Sequence, residues 1–285
     1  MSIPFSPATS AARISARGIS SGYGKEKIIN TLDVDIPRGA VTTVIGPNGC
    51  GKSTLLRTLS RLLPTTSGTI ALDGTDISTL SRKEIAKTLS VLPQSPLAPE
   101  GLLVSDLVSR GRHPHQSWYR QWNKEDQQAV TEALRLTNTD HLAERTVDSL
   151  SGGQRQRVWI SLVLAQNTDL VFLDEPTTYL DLAHSIEILE LVGRLRSQEQ
   201  KTIVMVLHDL NLAIRYSDHL IVMKDGQIIT TGTPAHVITS GLLKEVFGLS
   251  AIVVADPVTG GPLVVPTQPE QTQSELESHA VGAEK

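Results

Sequence analysis

Three short stretches carry residue types suited to phosphate chemistry. In GPNGCGKST the loop Gly46, Pro47, Asn48, Gly49, Cys50, Gly51 leads into Lys52, Ser53 and Thr54. Glycines there let backbone N–H groups curl around phosphate, and a helix opening at the lysine adds its positive end. Lys52 would neutralise the β and γ phosphates, and Ser53 would ligate Mg2+. In LVFLDEP, Asp174 and Glu175 end an apolar run, so both carboxylates emerge at the C-terminal edge of a buried strand, where ligands of parallel sheets collect. Asp174 suits magnesium held through its water shell, and Glu175 suits the catalytic base that polarises the attacking water. His208 follows the apolar TIVMVL and surfaces at the same edge. A satisfied core histidine is the plain alternative; the edge position favours a γ-phosphate contact.

The third stretch, LSGGQRQR, raises a question. Ser151, Gly152, Gly153 and Gln154 offer amides and a hydroxyl ahead of a helical pattern, the makings of a second anion site. They bring no lysine and no magnesium ligand, so they are equipped to cover one side of a phosphate already held elsewhere. Two residues give weaker signals. Gln94 either reaches magnesium through its side-chain carbonyl or is an ordinary polar loop residue, and Tyr23 presents a ring that suits a purine face. Cys50 fits packing better than redox control. His113 and His115 in GRHPHQ have no partners at metal-ligand spacing and read as loop structure.

These residues need elements to hold them. Ile14 to Ser20 and Leu32 to Ile36 alternate as half-buried strands and open an antiparallel sheet, joined later by SGTIALDG with its Asp-Gly turn. Val41 to Ile45 predicts the strand before the first glycine loop, and Ser53 to Leu63 a helix that stops at Pro64. Strands at Leu89 to Leu92, Asp169 to Leu173 and Thr202 to Leu207 alternate with helices at Val158 to Ala165 and Leu182 to Arg196, which implies a parallel sheet. Between them, Ser95 to Ser149 lacks strong strand runs and contains a helix from Lys124 to Thr137 capped by Asn123, so it reads as an inserted helical subdomain. A hairpin at Asp225-Gly226, a helix from Pro234 to Phe247 and a strand-like IVVADPVTGGPLVV follow.

The bulk numbers narrow the partners. With 26 basic and 30 acidic residues in 285, the net charge of −4 offers no basic field for nucleic acid. A single cysteine makes no intrachain disulfide and fits a reducing cytosol. The start MSIPFSPATSAAR does not read as a secretory signal, and no apolar run approaches the roughly 20 residues of a spanning helix. Work at a membrane would need another chain to cross it.

With these pieces in order, the chain resembles an ATP-binding cassette ATPase across about residues 13 to 266. GPNGCGKST is similar to the family's Walker A, Gln94 to its Q-loop, LSGGQRQR to its signature, LVFLDEP to its Walker B, Tyr179 to Asp181 to its D-loop and His208 to its switch histidine; Tyr23 matches the aromatic residue that stacks on adenine. The resemblance implies an α/β P-loop NTPase with a RecA-like parallel sheet core, an antiparallel β-subdomain and a helical insert at about 95 to 160. It implies ATP and Mg2+ as cofactors, Asp181 among the ATP-binding residues, and a head-to-tail homodimer in which the signature of one copy closes over ATP on the Walker A loop of the other. It also implies transmembrane permease subunits as partners, an extracytoplasmic substrate-binding protein as an indirect one, and a place on the cytoplasmic face of the membrane. GRHPHQSWYRQWNKEDQQAV, VLAQNTDLVFLDEPTTYLDLAHSIEILELV and VLHDLNLAIRYSDHLIVMKDGQII resemble the importers of ferric siderophores, a group shared with relatives for haem and cobalamin. The stretches 1 to 12 and 267 to 285 carry no assignable motif and read as disordered tails.

Overall fold

The computed structural model describes residues 12–116, 122–178 and 180–267. The predicted tails, apart from Ala12 and Thr267, lie outside the described residues, as does Tyr179.

The strands β1 (Ala12–Tyr23), β2 (Glu26–Pro37), β4 (Ser67–Leu72) and β5 (Thr75–Asp76) form an antiparallel sheet in the order β2-β1-β4-β5. The first two run longer than their alternation predicts, and Tyr23 ends the first of them. The second sheet holds β3 (Val41–Ile45), β6 (Leu89–Leu92), β7 (Leu170–Asp174), β8 (Thr202–Val206), β9 (His219–Lys224) and β10 (Gln227–Gly232) in the order β10-β9-β3-β8-β7-β6. All its pairings are parallel except β9 with β10.

The apolar runs of β7, β8 and β9 are explained by burial on both faces. Val171, Leu173, Ile203, Met205, Leu220 and Val222 pack into one core, while Leu170, Phe172, Val204, Val206, Ile221 and Met223 pack into the other. Alternate side chains thus serve opposite layers, and the strand ends are left to present polar residues at one edge. The second core lies against the antiparallel sheet and α1 (Lys52–Leu59).

Helix α1 stops short of the predicted Leu63. The Ser60 hydroxyl donates back to Leu56 O at 2.8 Å, Arg61 takes φ 56°, and Leu62 is 63% exposed, so its apolar spacing misleads. A further helix, α2 (Arg82–Thr88), begins in a capping box between Ser81 and Glu84. The predicted insert contains α3 (Val104–Ser109) and α4 (Lys124–Leu136), the latter capped by Asn123. Helix α4 meets α5 (Gly152–Ala165) through a buried hydroxyl cluster in which Thr137 and Ser161 lie 2.6 Å apart. Buried Arg112 also reaches Asp126 of α4 at 2.9 Å.

After α6 (Leu182–Glu199) and β8 comes α7 (Leu210–Arg215), capped by Asp209. The single helix predicted from Pro234 to Phe247 is two, α8 (Pro234–Val237) and α9 (Ser240–Phe247), because Thr239 is extended and its hydroxyl caps a fresh start. The last hairpin pairs β11 (Ala251–Ala255) with β12 (Pro262–Pro266).

Candidate functional site

The β3–α1 connection wraps the glycine loop around the buried Lys52. Its Nζ donates to Gly46 O at 2.8 Å and Pro47 O at 2.9 Å, which fixes the ammonium inside the loop. Gly46 is required by contact: a Cβ there would lie 2.2 Å from Met223 O on β9. The loop is also tied to the β9–β10 turn, where Gly226 N donates to Cys50 O at 3.1 Å. Cys50 packs in the second core, and burial pushes its thiol up despite the nearby Lys52 charge.

At the end of β7, Asp174 is 2% exposed and accepts from Ser53 Oγ at 2.8 Å through Oδ1. Burial raises its pKa, more than the Ser53 hydrogen bond lowers it. Its other oxygen, Oδ2, is fully buried with no hydrogen-bond partner, an unmet demand that a cation or its water shell would satisfy. One hydroxyl and one carboxylate suit Mg2+, which takes few protein oxygens and completes its shell from phosphate and water.

Glu175 sits at φ 55°, a left-handed position costing a side-chain-bearing residue roughly 1–2 kcal/mol. There its carboxylate is enclosed. His208 Nε2 lies 2.7 Å from Oε1, Thr178 Oγ1 donates to Oε2 at 3.0 Å, and Gln94 bonds it as well. Burial acts to raise its pKa, but the hydrogen bonds from Gln94, His208 and Thr178 outweigh it and hold the carboxyl below its ordinary value. Sequence reasoning missed Thr178, since its role depends on the turn after Glu175.

These residues surround one cleft of about 430 Å³, lined by Asn48, Gly49, Gly51, Lys52, Ser53 and Thr54 on one side and by Gln94, Glu175 and His208 on another. Tyr23 and Ile28 line its mouth. Tyr23 is 46% exposed, and its hydroxyl accepts from Arg57 at 3.0 Å.

Ser151, Gly153 and Gln154 lie elsewhere, on a cleft of about 460 Å³ that also takes in Leu180, Asp181 and His184. The two clefts have no lining residue in common. Ser151 is the N-cap of α5. Its Oγ accepts from Gln154 N at 3.3 Å, and the Gln154 side chain accepts from Ser151 N at 3.2 Å, a capping box that points the free amides of the first turn outward. Gly152 opens that turn and so belongs to the helix. Asp181 caps α6 through His184 N at 2.9 Å. Neither cap carries a lysine, and Arg157, which also lines this cleft, is paired with Glu187 at 2.9 Å.

His113 and His115 lie in a 3-10 turn, Arg110–His115, with the His115 ring bonded to Gln166 O at 2.8 Å. Burial pulls the pKa of His115 down.

Comparison with known proteins bears on the family and the fold. The ABC transporter family profile matches residues 29–178. The chain is 54% identical over 253 residues to the "Probable siderophore transport system ATP-binding protein YusV" of Bacillus subtilis (strain 168), covering 89% of this chain and 92% of the relative. The structure described as "An inward-facing conformation of a putative metal-chelate type ABC transporter" superposes with a TM-score of 0.77 at 28% identity, over 90% of this chain and 97% of that one. The dimeric structure of MJ0796, a bacterial ABC transporter cassette, superposes with a TM-score of 0.69 at 27% identity, over 77% and 98%.

Proposed function

The chain belongs to the ABC transporter family, and from that premise we propose that two copies close head to tail on two molecules of MgATP and power uptake of a ferric siderophore through membrane permease subunits. The observation that carries the ATPase part is the split between the clefts. Lys52, Ser53, Glu175 and His208 line one, with Asp174 bonded to Ser53, while Ser151, Gly153 and Asp181 line another that has no lysine and whose one arginine, Arg157, is paired with Glu187 at 2.9 Å.

In this reading the Lys52 ammonium and the loop amides neutralise the β and γ phosphates. Ser53 and Asp174 would hold magnesium, which supplies Lewis-acid stabilisation of the phosphoryl oxygens. Glu175 accepts the proton of the attacking water. The closed cage around Glu175 makes it a poor base until a γ-phosphate draws His208 away, and the loss of that hydrogen bond raises its basicity. Tyr23 offers its face to adenine, and Gln94 links the magnesium side to the insert at about 95 to 160, which would grip the permease. Amides of Gly152 and Gly153 with the Ser151 hydroxyl then meet the γ-phosphate from the second copy, and its cleavage removes the bridge.

The cargo rests on likeness to the siderophore-system relative and the metal-chelate transporter. Among the described residues no helix is long and apolar enough to cross a membrane, so the reading assigns the crossing to permease chains and this subunit to their cytoplasmic face.

Glu175→Gln tests the chemistry. ATP binding is expected to persist, phosphate release to fall about a hundredfold or more, and the closed dimer to accumulate. Unimpaired turnover would remove Glu175 as base. Deleting the chain and measuring uptake of ferric siderophores, haem and cobalamin tests the cargo: selective loss of siderophore uptake is expected, and selective loss of either of the others would correct it.

A further inference from the structure

The cleft around Ser151 contains one carboxylate among its lining residues, that of Asp181. Asp181 Oδ1 accepts twice from the same neighbour, from His184 N at 2.9 Å and from the His184 ring Nδ1 at 2.8 Å. Because an ionised carboxylate only accepts, Nδ1 is the donor in the ring's bond to Asp181. Both bonds fall on Oδ1, which commits that oxygen to the start of α6. The same two bonds hold the Asp181 carboxyl below its ordinary value.

A bare carboxylate swinging near an incoming triphosphate would repel it. One whose rotamer is locked, and whose charge is partly met by a ring N–H, does not swing. We propose that His184 is a positioning residue of the half-site, holding Asp181 in the orientation that the phosphate loop of a second copy requires. The inference rests on the head-to-tail reading and adds to it a residue with no phosphate contact of its own.

The test uses the full-length Glu175→Gln chain, in which ATP-driven association is measured by sedimentation, alone and combined with His184→Asn, His184→Gln or His184→Ala. Asparagine places an N–H where Nδ1 stands; glutamine carries one further out, where Nε2 stands. His184→Asn is expected to associate within about twofold of its parent, while His184→Gln and His184→Ala weaken association about tenfold. Binding of a fluorescent ATP analogue to single copies is expected to stay within about twofold in all of them, and thermal melts check that each variant is folded. Association unchanged in His184→Ala would overturn the inference. So would rescue by glutamine and not asparagine, which would place Nε2 directly on phosphate. A parent that fails to associate with ATP would overturn the head-to-tail reading and this inference together, whereas a parent that associates beside an unaffected His184→Ala overturns the inference alone.

Discussion

The two clefts differ in how they are built. Around Lys52 the glycine loop, Glu175 and His208 follow directly on strands buried on both faces, and the polar atoms are enclosed to the point that Asp174 Oδ2 has no partner. Around Ser151 the groups are first-turn positions of α5 and α6, exposed and satisfied by their own capping bonds. In the proposed dimer the first is a preorganised charge cage, and the second is an ordinary pair of helix starts that becomes a site only against another surface. Buried strand ends supply rigidity, and exposed helix starts supply a face that can be engaged and released.

Substituting glycine separates the two most sharply. Gly46→Ala drives a Cβ into Met223 O and is expected to destabilise the chain by about 3 kcal/mol or more, seen as a large loss of melting temperature. Gly153→Ala meets only the end of the Leu180 side chain at 3.3 Å within a helix. There stability is expected to change little or rise by about 0.5–1 kcal/mol, while ATP-driven association is lost. A Gly153→Ala chain that melts as badly as Gly46→Ala would break the contrast.

The next effect in size concerns Ser151. Aspartate caps helices as well as serine, so Ser151→Asp should leave the melting temperature near the parent's while its charge opposes the γ-phosphate, cutting hydrolysis about a hundredfold. Equal losses of stability and turnover would mean that Ser151 only caps.

The smallest effect is expected at Asp174. Its folded pKa is raised, so its contribution to stability is present below the unfolded value and lost as pH rises through the folded one. Glu175 has the opposite sign, with a lowered folded pKa and a contribution lost as pH falls through it. At neutral pH, Asp174→Asn without nucleotide is therefore expected to raise the melting temperature by about 2 °C, and to abolish any gain from adding Mg2+ with ATP. A fall in melting temperature would show the buried charge to be already compensated.

Legibility in the sequence followed the same division. The first cleft was readable because strand, glycine loop, lysine and helix are adjacent in the chain, and because long apolar runs announce where Asp174, Glu175 and His208 must surface. The second was readable as amides and hydroxyl, while its separation from Lys52 and the self-capping of Gln154 needed coordinates. Local errors have local causes. Leu62 and Leu63 extend an apolar period past the point where Ser60 ends α1, and Thr239 breaks one predicted helix into two. The Ser81–Glu84 capping box of α2 and the Asp181–His184 spacing were present as i, i+3 signals and passed over. The left-handed turn at Glu175 and the Thr178 bond carry no sequence mark, since both depend on how the chain leaves β7.

The central claim is that the phosphate loop of one copy works with the signature of the other, and mixing two inactive chains tests it directly. Lys52→Ala and Ser151→Asp protomers are each expected to be silent in phosphate release. Exchanged in equal amounts and assembled together, they should recover roughly a quarter of the wild-type rate, since half of randomly paired dimers are mixed and each mixed dimer has one intact site of two. A mixture no more active than its components would mean that each chain completes its own site, and the account would be contradicted.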